Sequence, residues 1–146
     1  MTSLHDELVR VLREEKNLLA NLYKIVSQER DAIVSLQAKE LESILREKEE
    51  VLMKLSLWEN ERARILEKNN LYGQSLSEII SHVAETQDVK VLKELYMEMK
   101  TLLTAIAEIQ KINEQLIDRS IINIGTAIKF LESFGITPKQ SLSREA

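Results

Sequence analysis

The chain has 146 residues, of which 30% are charged, with one proline, three glycines, no cysteine and a net charge of −4. This length fits one domain, and the composition is typical of long helices and coiled coils. The absence of cysteine excludes disulfides, thiol catalysis and cysteine metal sites. No basic patch or stripe stands out, so we expect no nucleic acid partner.

Membrane and export signals are also missing from the sequence pattern. No stretch approaches the roughly 18 uncharged apolar residues of a membrane-spanning helix. The first ten residues, MTSLHDELVR, lack the apolar core of a signal peptide. We therefore expect a cytoplasmic protein without membrane insertion.

The first half of the chain is predicted to form a helical hairpin. Ser3 can cap a first helix in front of Asp6, and two apolar stripes with helical spacing follow, the second of which includes Leu45 and Leu52. No glycine or proline separates the stripes, so helix-breaking residues alone would predict one helix of more than about 60 residues. That length is far beyond the common length in compact domains. We predict instead two helices, over residues 3–37 and 39–70.

Four charged residues inside these stripes favour the hairpin. Facing residues of an antiparallel pair have a constant index sum, and Glu29 with Lys48 gives the same sum as Glu15 with Arg62. That sum places the hairpin centre at Ala38–Lys39, in the stretch SLQAKE. We predict two structural ion pairs that fix the register; the alternative is four rim charges whose sums coincide.

Turn and cap residues divide the second half into a short helix and a long one. Asn69–Asn70 and Gly73 are predicted to end the second helix, because asparagine and glycine tolerate a left-handed cap. Ser75 begins an S-x-x-E capping box, which predicts a short helix over 75–85. Asp88 is a good N-cap for the last helix.

The last helix is predicted over residues 88–134 and is longer than either helix of the hairpin. About 45 residues at 1.5 Å each span about 68 Å, whereas the hairpin helices reach about 50 Å. The final turns should overhang the hairpin or fold back. Gly135 and Pro138 stop this helix, and residues 135–146 are predicted to be a disordered tail.

The overhanging part of this helix is unusually apolar. Between Ser120 and Pro138 only Lys129 and Glu132 carry charge. The apolar side chains fill an arc wider than the stripe of about 100° that a surface helix buries. This excess indicates a binding partner.

Two polar residues interrupt the apolar stripe of the last helix. Asn113 and Ser120 lie seven residues apart. A buried asparagine in a helical seam can fix register. Alternatively, both side chains line a binding groove and hydrogen-bond a partner. The sequence leaves both interpretations open.

We expect that the protein is not an enzyme and that it binds no metal and no cofactor. An active site needs convergent polar groups in a pocket. The two histidines, His5 and His82, are far apart in sequence and belong to no metal-binding motif. Glu78 and His82 could touch, but two ligands make a weak site. The carboxylates alternate with lysine and arginine, as on a solvated face.

A pattern of apolar and polar positions runs through most of the chain. Its most telling part is the order of Lys48, Arg62 and the sequence Asn113-x-x-Leu-Ile at these distances. The positions of the pattern are Glu29, Ile33, Leu41, Ile44, Lys48, Val51, Leu52, Leu55, Arg62, Asn113, Leu116, Ile117, Ser120, Ile121, Ala127, Ile128 and Leu131. This pattern resembles the FlgN family of cytoplasmic export chaperones.

The resemblance implies an all-α bundle of long antiparallel helices, one domain over residues 1–146, with no catalytic site. It implies that the end of the last helix binds the C-terminal helical segments of the flagellar hook–filament junction proteins FlgK and FlgL. The chaperone prevents their premature association and delivers them to components of the flagellar type III export apparatus. The implied binding residues are Asn113, Leu116, Ile117, Ser120, Ile121, Ala127, Ile128 and Leu131, to which the helical arc adds Ile124 and Phe134.

Two other functions compete with the chaperone hypothesis. One is a structural coiled-coil protein that forms a permanent homo-oligomer through the last helix. The other is an adaptor or tether of another secretion system. The structural protein predicts a constant dimer without an exposed apolar patch. The chaperone predicts a mainly monomeric chain, with at most a weak homo-oligomer.

Overall fold

The computed structural model describes the backbone of residues 2–133 and the side chains of residues 2–119, 132 and 133. Within these bounds the chain forms four helices and no strand. They are α1 (Leu4–Val34), α2 (Ala38–Lys68), α3 (Leu76–Ala84) and α4 (Lys90–Ser133). The predicted all-α bundle is confirmed, and each helix end lies within three residues of its predicted position.

The helix α1 is the centre of the bundle. It packs against both α2 and α4, whereas α2 and α4 approach each other less closely. Eleven residues of α1 are buried, against four of α2, because α1 has a neighbour on two sides and α2 on one. The helices α1 and α4 run in the same direction, and α2 runs opposite to both.

The core consists of two apolar clusters along the bundle axis. Burial of each large aliphatic side chain contributes about 1.5–3 kcal/mol. Leu55 and Ile106 contact both clusters and join them. The cluster at the α3 end contains Leu8, Leu12, Leu19, Leu66, Leu71, Ile79, Ile80, Val83, Val89, Leu92, Leu95 and Met99. The cluster at the hairpin end contains Leu22, Ile25, Val26, Ala32, Ile44, Val51 and Ile109.

Side-chain caps start α1, α3 and α4 where the sequence predicts them, whereas α2 begins without a side-chain cap. The Ser3 hydroxyl accepts a hydrogen bond from the Asp6 N–H at 3.2 Å, and the Ser75 hydroxyl accepts one from the Glu78 N–H at the same distance. Each bond satisfies an N–H group that has no partner within the first helical turn. The Asp88 carboxylate accepts from the Lys90 N–H at 3.0 Å and caps α4 in the same way.

The end of α2 is a Schellman motif, the left-handed helix end that the asparagines predict. Asn70 has a φ of 58°, and the Leu71 N–H donates to the Leu66 carbonyl at 2.8 Å. Leu66 and Leu71 are both buried in the same apolar cluster. This contact holds the chain as it turns toward α3.

The hairpin turn lies at residues 35–37, so the prediction of its centre at Ala38–Lys39 is wrong by about three residues. The α1 helix also ends in a Schellman motif, in which the Gln37 N–H donates to the Ala32 carbonyl at 3.0 Å. Its left-handed residue is Leu36, with a φ of 54°. Leucine in this conformation costs about 1–2 kcal/mol. No glycine or asparagine marks this turn, which explains the error.

Candidate functional site

The structure brings both predicted ion pairs together in the seam between α1 and α2. Nζ of Lys48 lies 3.2 Å from Oε2 of Glu29, and Nη1 of Arg62 lies 3.2 Å from Oε2 of Glu15. The glutamate side chains are only 4% and 6% exposed. These are therefore seam residues rather than rim charges, and both pairs set the same register of α2 on α1.

Glu29 and Lys48 belong to a polar network that joins three helices. Nζ of Lys48 also donates to Oε1 of Gln110 at 2.7 Å. Nδ2 of Asn113 donates to Oε1 of Glu29 at 2.7 Å and to the Val26 carbonyl at 3.1 Å. A buried carboxylate without partners would be strongly destabilising. This one is satisfied from both neighbouring helices, so the network fixes α4 against the hairpin at one height.

Asn113 lies in the core rather than on the surface. Its residue exposure is 0%, and both acceptors of its Nδ2 are on α1. Since both partners of Nδ2 are acceptors, they determine the orientation of the amide, and Oδ1 is left buried without a hydrogen bond. Of the two interpretations of Asn113, this geometry supports register fixing.

The second pair has a different electrostatic character. Burial raises the pKa of the Glu15 carboxyl above its usual value; the positive charge of Arg62 counteracts this rise, and the negative charge of Glu59 adds to it. Oε1 of Glu15 is buried without a hydrogen-bond partner. Glu15 is therefore less completely compensated than Glu29, which has donors on two helices.

Beyond the network, α4 continues much farther than α1. Glu29 and Asn113 are at the same height because they are hydrogen-bonded. Five residues separate Glu29 from the end of α1, whereas twenty separate Asn113 from the end of α4 at Ser133. The surplus of about 15 residues corresponds to about 22 Å of helix. This surplus is the apolar segment from which the sequence predicts a binding surface.

The predicted binding residues fall into three groups in the structure. Asn113 is buried, Leu116 is half-buried, and Ile117 is 42% exposed. The side chains of a further six lie outside the described residues: Ser120, Ile121, Ile124, Ala127, Ile128 and Leu131. Phe134 and the predicted tail, residues 135–146, lie outside them entirely.

A further set of apolar side chains is exposed on α2 and α4, within the length of the hairpin. Leu45 and Leu52 on α2 are 42% and 46% exposed, and Leu103 on α4 is 51% exposed. Helical spacing assigns Leu45 and Leu52 to the apolar stripe of α2, but that stripe packs closely against α1 alone and approaches α4 less closely. The sequence carries no signal that Leu45 and Leu52 stay exposed.

The described part of the chain carries neither a metal-binding cluster nor a membrane-spanning helix. Among residues 2–133, no three His, Cys, Asp or Glu residues are grouped so that they could hold a metal ion. In the same part of the chain, no helix is long and apolar enough to cross a membrane.

These features define an all-α helical bundle, in which a buried polar network joins three helices and the last helix extends past the end of the first. A family model described as FlgN protein matches residues 1–134. The chain belongs to the FlgN family, which is a family of flagellar export chaperones and not of enzymes. No curated protein and no solved structure matches the chain.

Proposed function

We propose that this chain is the cytoplasmic export chaperone of the hook–filament junction proteins FlgK and FlgL, and that it binds their C-terminal helical segments through the end of α4. The observation that carries the proposal is the surplus length of α4 beyond α1. That surplus coincides with a stretch, between Ser120 and Pro138, in which only two residues are charged.

The physical form of the complex is a client helix lying along α4. An amphipathic helix docked on an apolar helical surface is a common recognition mode. A standard interface buries roughly 1,600 Å² in total, which about ten apolar side chains on each partner can supply. The proposed contacts are Leu116, Ile117, Ser120, Ile121, Ile124, Ala127, Ile128, Leu131 and Phe134.

Asn113 supports this surface from inside the bundle. Its hydrogen bonds to Glu29 and to the Val26 carbonyl anchor α4 about five residues before the surplus begins. Because α4 is held at Asn113, the segment that follows has a defined direction relative to the hairpin. The proposed client contacts follow Asn113 in the sequence, so we expect that binding does not require the core around Asn113 to open.

The proposed role is to keep the client ready for export. A client helix that is covered by α4 cannot associate with other junction subunits before assembly. Ordering the client segment on binding costs free energy, so the complex has moderate rather than extreme affinity. Moderate affinity permits release when the chaperone delivers the client to components of the flagellar type III export apparatus.

The test is a calorimetric titration with the C-terminal segment of FlgK from the same organism. The full chain is compared with a chain truncated after Arg119, which keeps Asn113 and the network around Glu29. Saturable one-to-one binding that the truncation abolishes, with an unchanged melting temperature, supports the proposal. Absence of binding by the full chain contradicts it.

A second candidate function is a structural homo-oligomer, which the exposed apolar side chains of α2 and α4 favour. It predicts a stable dimer at all accessible concentrations and no affinity for the FlgK segment. Sedimentation equilibrium of the full chain, with and without the segment, separates the two candidates.

A further inference from the structure

An open groove lies between α2 and α4, over the side of α1. Both helices pack on α1 but approach each other less closely. A side-chain hydrogen bond crosses this space at mid-height, from Nζ of Lys48 on α2 to Oε1 of Gln110 on α4. This bond identifies which face of each helix borders the groove.

Apolar side chains line the groove on both helices. Leu103 and Ile117 lie seven residues before and after Gln110, so they share its face of α4. Leu45 and Leu52 lie three residues before and four after Lys48, so they share its side of α2. Each is 42–51% exposed. We call these four side chains the groove residues: Leu45, Leu52, Leu103 and Ile117.

The groove residues form a strip rather than scattered points. Because α2 and α4 are antiparallel, Leu45 and Ile117 lie on one side of the Lys48–Gln110 bond, and Leu52 and Leu103 lie on the other. From Leu103 to Ile117 is fourteen residues along α4, which is about 21 Å or four helical turns. A helix of about four turns fits that length.

We propose that a helix of the client, continuing from the end of α4, occupies this groove as a second part of the binding site. The inference rests on the proposed function. Ile117 belongs both to the groove and to the proposed client contacts on α4, so the two surfaces are continuous. A client helix that follows α4 toward the hairpin core reaches the groove without a break.

Charge identifies the kind of helix that fits. Glu49 lies four residues after Leu45 and is exposed, so it borders the apolar row of α2. Glu42, three residues before Leu45, is already paired with Arg46 at 2.8 Å. The occupant is therefore an amphipathic helix with an apolar stripe for the groove residues and with a lysine or arginine at the edge that meets Glu49.

The test compares two variants of α2 in the full chain, in the same titration with the C-terminal segment of FlgK. The groove variant is Leu45→Glu with Leu52→Glu. The matched control is Met53→Glu with Leu57→Glu, at residues that are 68% and 63% exposed on the outer side of the same helix. Far-ultraviolet circular dichroism and melting confirm that each variant is folded.

We expect the groove variant to bind at least about tenfold more weakly than the wild type, because two apolar contacts are replaced by charges. The control variant should bind within about twofold. Equal affinity of both variants and the wild type overturns this inference and leaves the proposed function intact. Absence of binding by the wild-type chain overturns both. A wild-type dimer that only the groove variant dissociates, with client affinity unchanged, assigns the groove to a second copy and also overturns the inference.

A second readout does not depend on affinity. Since the chain has no cysteine, a single Leu52→Cys substitution can carry an environment-sensitive dye, with Met53→Cys as the control. Saturating client should shift the dye emission to shorter wavelength at position 52 and leave position 53 unchanged. Equal responses at both positions contradict the inference.

Discussion

The network around Glu29 makes a quantitative prediction about the stability of the bundle. The Glu29 side chain is 4% exposed and lies 3.2 Å from the ammonium group of Lys48. With an effective dielectric constant of about 20, that distance gives an attraction of about 5 kcal/mol before desolvation is counted. Lys48→Met removes the attraction and leaves a desolvated carboxylate with the Asn113 amide. We expect the free energy of unfolding to fall by about 2–4 kcal/mol.

The assay is a double-mutant cycle of Lys48→Met and Glu29→Gln, measured by urea denaturation. Because the second change removes the buried charge, the double variant should recover part of the loss, with a coupling energy of about 1.5 kcal/mol or more. The matched control is the pair Arg46 and Glu42 on the surface of α2. These groups are 2.8 Å apart, but their side chains are 76% and 67% exposed. Their coupling should stay below about 0.5 kcal/mol.

The comparison between the two cycles tests the physical argument directly. The surface pair has the shorter distance, and the buried pair has the lower exposure. If burial determines the coupling energy, Glu29 and Lys48 couple more strongly than Glu42 and Arg46, although their charged groups are farther apart. Equal coupling in the two cycles, or a loss below about 0.5 kcal/mol for Lys48→Met, would refute the reasoning.

Three further predictions concern binding, the turn and pH. Ile121→Asp with Ile128→Asp should abolish binding of the FlgK segment while leaving the melting temperature nearly unchanged; unfolding of this variant would place the residues in the core. Leu36→Asn should raise the free energy of unfolding by about 0.5–1 kcal/mol in urea denaturation, since Leu36 is 80% exposed with a positive φ. A lower free energy of unfolding would show that the Leu36 side chain makes stabilising contacts. Because burial raises the pKa of Glu15 in the folded state, its effect on stability becomes less favourable as pH rises through and above its usual value of 4.5. The stability of Glu15→Gln relative to the wild type should therefore increase between about pH 4 and pH 7 in urea denaturation, and a decrease would contradict the cause assigned to the pKa shift.

The register of the hairpin could be read from the sequence because two charged pairs had to meet across one seam. A charge inside an apolar stripe is costly unless it finds a partner. The equal index sums of Glu29 with Lys48 and Glu15 with Arg62 therefore carried geometric information. The position of the turn could not be read in the same way, because Leu36 adopts a left-handed conformation without a residue type that signals it.

The two interpretations of Asn113 show a second limit of the sequence. Its spacing in the stripe places it on the inner side of α4 or at the edge of a binding groove, and both are compatible with helical periodicity. The hydrogen bonds to Val26 and Glu29, which support the register-fixing interpretation, appear only in the tertiary structure. Those two acceptors are more than eighty positions away along the chain, so local pattern cannot reveal them.

The sequence by itself determined the number of helices, the side-chain caps of α1, α3 and α4, the pairing of α1 with α2 and the surplus length of α4. The caps and the helix lengths follow from local rules, because caps, periodicity and rise per residue depend on neighbours within a few positions. The pairing follows from the equal index sums of the two charged pairs, because a charge inside an apolar stripe needs a partner. The tertiary structure alone decided which apolar faces remain open. The stripe of α2 is wide enough for two neighbours, but only α1 packs closely against it. Leu45 and Leu52 are therefore left at the edge of a groove, because burial depends on how many helices meet at a face and not on the pattern of that face alone.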